Sequence, residues 1–117
     1  MYRKSYATLI YEADTYLENG SPTTVSIEKE VKVNLMDNFS VNYYNDRARE
    51  MRDSLRLNVN VYHTEDIVQG GLSYSLRYVR YHGKKYTVEN IMGHFIRAYK
   101  NYVKDTMTRD LDLRLSL

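Results

Sequence analysis

The sequence predicts a mainly β fold: a small antiparallel β-barrel or sandwich of about six strands, with one short helix after the second strand and a late helix before the last. Three observations predict it. Several separate runs alternate apolar and polar residues with a period of two, the pattern of a strand with one buried and one wet face. Between those runs lie Asn19-Gly20-Ser21-Pro22, Gly70-Gly71 and His82-Gly83, residue types that reverse a chain. Finally, 117 residues with 43% hydrophobic content suffice for one core but not two, so residues 1–117 are read as a single domain. Short strands that each carry one apolar face bury it most readily by curling into a barrel or sandwich.

The clearest element is the hairpin Leu76 to Ile91. Leu76, Tyr78 and Arg80 alternate with Arg77, Val79 and Tyr81; His82-Gly83-Lys84-Lys85 interrupts; then Tyr86, Val88 and Asn90 alternate with Thr87, Glu89 and Ile91. Glycine supplies the positive φ of a tight turn. Ser5 to Tyr11 reads as the first strand. In Thr24 to Leu35, Val25, Ile27, Val31, Val33 and Leu35 share one face with Lys29 as the exception, and Ser26, Glu28, Glu30, Lys32 and Asn34 share the other. Ser40 caps a predicted short helix in which Val41, Tyr44, Ala48 and Met51 recur at helical spacing. Leu55, Leu57, Val59 and Val61 then alternate with Arg56, Asn58, Asn60 and Tyr62. His63 to Ser73 is the weakest stretch for regular structure and reads as an exposed mobile loop. Phe95 to Met107 fits a helix with an apolar stripe, and Leu111 to Leu117 alternates as a final strand.

Composition excludes several classes of function. With no cysteine there is no disulfide framework and no thiolate metal site. The first residues hold neither the apolar core of a signal peptide nor the length of a membrane span, so a cytosolic chain without membrane insertion is expected. The net charge of +2 is uneven: residues 1–69 carry 8 Lys/Arg and 11 Asp/Glu, and residues 70–117 carry 9 and 4. Such a split suits nucleic acid nearby or contact between unlike faces of neighbouring subunits, and it also arises from scattered solvated charge. Thirteen tyrosines stand against 2 phenylalanines, a composition suited to sheet edges and protein interfaces.

No catalytic constellation emerges. His63, His82 and His94 are far apart, and the one ligand-like cluster, His63-Thr64-Glu65-Asp66, is of a kind common in acidic loops, so no metal or cofactor is expected. Gly70-Gly71 lacks the residues of a phosphate loop, and no Gly-x-Ser-x-Gly occurs. The chain reads as non-enzymatic. Two interaction surfaces are candidates instead: an interface loop of Thr64, Glu65, Asp66, Gln69, Gly70 and Gly71, and a basic surface of Arg77, Arg80, Lys84 and Lys85 interleaved with Tyr78, Tyr81 and Tyr86. Alternating strands with one wet face produce the second composition by default.

The order of pieces carries a resemblance. KEVKVN (Lys29 to Asn34), a short amphipathic helix from Ser40-Val41, LRLNVNVY (Leu55 to Tyr62), YHGKKYTVENI (Tyr81 to Ile91) and a terminal LDLRLSL together resemble the small head-closure, or stopper, proteins of long-tailed bacteriophages. The resemblance implies a β-barrel that assembles as a homo-oligomeric ring beneath the portal and adaptor, made in the bacterial host cytoplasm and ending in the virion neck. There it would close the DNA-filled head, contact packaged DNA and dock the tail-side neck proteins. The long segments Phe95 to Arg109 and His63 to Ser73 leave two alternatives within the neck, a tail-completion or a tail-terminator protein. A small nucleic-acid-binding module is the rival outside it.

Overall fold

The structure, a computed structural model, describes residues 3–36, 54–94 and 107–116. β1 (Arg3–Tyr16) and β2 (Pro22–Leu35) form a long hairpin paired from Tyr16↔Pro22 at the turn to Arg3↔Leu35 at the open end. β2 meets β3 (Ser54–Asn60) at Asn34↔Asn58 and Leu35↔Leu57. β3 pairs along its whole length with β7 (Thr108–Leu115), β7 with β6 (Lys84–His94), and β6 with β5 (Leu72–Tyr81). β5 returns to β1 from Thr8↔Arg80 to Glu12↔Ser75. The circuit β1-β2-β3-β7-β6-β5 is therefore a closed antiparallel barrel, one of the two architectures, barrel or sandwich, that the alternation predicts, and β4 (Ile67–Gln69) is an extra strand on β5.

The alternating residues explain the closure. Ala7, Leu9, Tyr11 and Ala13 from β1, Val31 and Val33 from β2, Leu57 and Val59 from β3, and Leu111 and Leu113 from β7 form one core with Leu76, Val79, Tyr81 and Tyr86. Each fully buried valine or leucine of this set contributes roughly 1.5–3 kcal/mol. No helix among the described residues is long and apolar enough to cross a membrane. The helix expected from Ser40 lies outside the described residues, as does the late helix expected from Phe95, apart from its last residue.

Four details differ from the sequence reading. β1 continues to Tyr16 because Glu12 and Asp14 occupy its outward positions, so the acids do not end the strand. β3 stops at Asn60, whose side-chain oxygen accepts from the Tyr62 N–H (2.9 Å) and starts a 3-10 turn at Val61–Thr64. The expected mobile loop His63 to Ser73 is instead that turn followed by the β4–β5 hairpin, closed by Gly70 and Gly71 at φ of 60° and 81°. Finally, the expected face Leu76, Tyr78, Arg80 is broken. Ile10 pairs Tyr78 while Tyr11 pairs Leu76, so Arg77 is an extra bulged residue, and the buried set becomes Tyr74, Leu76, Val79 and Tyr81. The β5–β6 turn is as predicted at Gly83 (φ 78°), with His82 also at positive φ (51°), the primed geometry that matches strand twist.

Antiparallel pairing sorts the connections between two barrel ends. The β1–β2 turn, the 3-10 turn and the β4–β5 turn share one end; Arg3, Met36, Ser54 and the His82-Gly83 turn share the other.

Candidate functional site

The two candidate surfaces lie in different places. Within the first, Thr64 is buried and donates from Oγ1 to the Val61 carbonyl (2.8 Å), which makes it part of the 3-10 turn and no part of an accessible loop. Glu65 and Asp66 are exposed between that turn and β4, and Ser73 Oγ reaches Asp66 at 3.5 Å. Gln69, Gly70 and Gly71 form the exposed tip, beside Val68 at 76% exposure. Ile67 and Leu72 pack inward against the core, and this anchors the tip. The hairpin thus presents Val68 and Gln69, both exposed, at one barrel end.

His63 lies in the 3-10 turn at the same barrel end. Tyr11 donates its hydroxyl to the His63 carbonyl (2.6 Å), and burial pushes the Tyr11 phenol up to about 12. Burial, and then the positive charge of Lys29, hold His63 below its ordinary value, and its Nδ1 is buried with no partner among the described residues. Lys29 Nζ lies 5.8 Å from the Tyr11 ring centre. Among the described residues no group of three or more His, Cys, Asp or Glu side chains is placed to hold a metal ion.

The basic surface is not one patch. The bulge at Arg77 aims its guanidinium across to β1, where Nη1 donates to Glu12 (3.3 Å) and Asp14 (3.2 Å) and Nη2 to Asp14 (3.3 Å). Arg80 spans β1 altogether and donates from both terminal nitrogens to the two carboxylate oxygens of Glu28 on β2 (3.2 Å each). The forked guanidinium matches a carboxylate in this way, and both acids respond. Hydrogen bonds from Arg77 and then Thr24 hold Asp14 below its usual range, and the hydrogen bond from Arg80 does the same for Glu28. These two arginines are ionic straps on the outer wall. Lys84 and Lys85 stand at the other barrel end, with Lys85 Nζ 4.1 Å from the Tyr78 ring centre. Beside them an open groove of about 620 Å³ is lined by Tyr78, Lys85, Thr87, Leu115 and Ser116.

Sequence reasoning therefore missed the acids that neutralise the arginines. The signal was present in Glu12, Asp14 and Glu28 on outward positions of adjacent strands, but only the barrel order β2-β1-β5 reveals that they face Arg77 and Arg80. No family model, curated protein or solved structure matches this chain.

Proposed function

We propose that this chain is a structural, non-enzymatic neck protein of a long-tailed bacteriophage, which assembles as a ring with its own copies between portal or adaptor and tail, closes the filled head and docks the tail. The reading rests on the order of sequence pieces that resembles the head-closure proteins. The observation that carries it furthest is the closed barrel from which two hairpin turns, at 17–21 and Gly70-Gly71, emerge at one end. A rigid barrel with projecting hairpins suits a part whose work is contact. Tail-completion and tail-terminator roles use the same kind of surface and belong to the same proposal.

The test is a phage in which the corresponding gene is silenced. DNA-filled heads that leak or lack tails, rescued by supplying the chain, are expected; tailed, stable particles without it would overturn the reading. A nucleic-acid-binding module is favoured by one observation, Lys85 stacked on Tyr78 beside the groove. The pairing of Arg77 and Arg80 leaves that surface few free cations. Duplex binding that falls steeply as salt rises would favour this second reading.

A further inference from the structure

Backbone pairing fixes what each edge of β2 offers. At the turn the Leu17 N–H donates to the Ser21 carbonyl (2.8 Å), so the odd-numbered residues of β2 exchange bonds with β1. At the opposite end the Met36 N–H donates to the Arg56 carbonyl (2.9 Å), so the even-numbered residues face the β3 side. Only Asn34 and Leu35 find β3 there; from Pro22 to Val33 no strand of the described residues lies beside that edge.

This free edge has two unlike halves. Glu28, Lys29, Glu30 and Lys32 crowd the half nearer the barrel seam, and Lys29 stands where alternation calls for an apolar residue. Charges on an edge, inward-pointing ones above all, are how natural sheets resist unwanted pairing. Thr23 to Ile27 carries no charge and is β-branched at four of its positions, Thr23, Thr24, Val25 and Ile27. Nearby, Tyr16 and Leu17 at the turn are 72% and 52% exposed. One half of the edge is guarded by charge, and the other has neither charge nor a strand beside it among the described residues.

We propose that Thr23 to Ile27 pairs antiparallel with the same segment of a second copy of this chain, joining the two hairpins into a four-stranded ribbon with a two-fold axis at Val25. The boundaries choose this occupant and this register. Pro22 lacks the N–H that would face the free edge, and Glu28 begins the charges, so the window they bound is centred on Val25. A two-fold there sets Thr24 against the partner's Ser26 and lets the Glu28 N–H meet the carbonyl of the partner's Pro22, so that no charged side chain stands opposite another. An axis at Lys29 or Glu30 would oppose like charges. The pairing is isologous and gives a dimer. It does not rest on the neck reading.

The test uses the full chain, which has no cysteine of its own. On the new edge Val25 forms a non-hydrogen-bonded pair with its own copy, the closest kind, so Val25→Cys should give a disulfide-linked dimer under mild oxidation. Thr23→Cys faces the partner's Ile27 and should link far less. Sedimentation velocity should show a concentration-dependent dimer for the parent chain. Ser26→Pro removes an edge N–H without touching the β1 ladder and should weaken that dimer by about tenfold or more, with an unchanged circular dichroism spectrum. A parent chain that stays monomeric at high concentration would overturn the proposal and mean that the edge is bare or covered by this chain itself. Equal linking of both cysteine variants, or a dimer indifferent to Ser26→Pro, would overturn it as well.

Discussion

The two edges of β3 differ sharply. Toward β7 every residue from Ser54 to Asn60 is paired, and the side chains cooperate across the seam: Arg56 donates to Asp112 (2.7 Å), and Asn58 donates to Asp110 (2.8 Å) and Thr108 (3.1 Å). Toward β2 only two residue pairs hold, after which the strands part around a gap of about 220 Å³ lined by Lys32, Val33, Asn34, Asn58, Val59, Asn60 and Thr108. Closing a barrel does not make its wall uniform. β2 is anchored chiefly by β1, so the hairpin is free to run past the barrel, whereas β3 and β7 behave as one unit.

The largest expected effect breaks both seams together. Leu57 has no exposed surface and lies where β2, β3 and the core meet. Leu57→Asp buries an unpaired charge at a cost of about 4 kcal/mol or more, against a total stability of roughly 5–15 kcal/mol for a domain of this size. Loss of the cooperative melting transition is expected; a soluble variant with the parent Tm would remove Leu57 from the core. Next comes the strong seam alone. Asn58→Ala leaves the buried Asp110 without its amide donor and should cost about 1–3 kcal/mol in denaturant unfolding, with an unchanged slope. The weak seam is read by hydrogen exchange. The Met36 amide, bonded to Arg56 across the β2–β3 junction, should exchange on the order of a hundredfold faster than the β3 amides bonded to β7. Equal protection would mean that both seams open only with the whole domain.

The same contrast explains what could be read from sequence. Val31, Val33, Leu57, Val59, Leu111 and Leu113 all face the core as alternation requires, because a side-chain period of two needs no knowledge of the partner strand. Lys29 was visible as an exception, but its position on a free edge depends on which strand fails to arrive. Arg77 and Glu89 were misplaced for a related reason. Each is the extra residue of a bulge, between Leu76 and Tyr78 opposite β1 and between Val88 and Asn90 opposite β7, and a bulge shifts the face of every residue beyond it. Each bulge also frees its residue for an ion pair, Arg77 with Glu12 and Asp14, and Glu89 with Arg114. The basic patch looked continuous in sequence because its counter-charges lie more than fifty positions away along the chain.

The smallest expected effect belongs to those straps. Glu28 and Asp14 have folded-state pKa values below their unfolded ones, chiefly through hydrogen bonds from Arg80 and Arg77. A depressed carboxylate binds fewer protons folded than unfolded, so its stabilisation is complete above the ordinary carboxylate range near pH 4 and is lost as pH falls through the folded value. Both acids are solvent-exposed, where such pairs contribute little and are screened by salt. Tm should therefore fall slightly more steeply on acidification in the parent chain than in Arg80→Gln, and 1 M salt, at a Debye length of about 3 Å, should erase the difference. An Arg80→Gln chain that melts far below the parent at neutral pH would show instead that the strap bridging β5 to β2 holds the outer wall of β1 in place, and that the barrel relies on it where β3 gives β2 so little support.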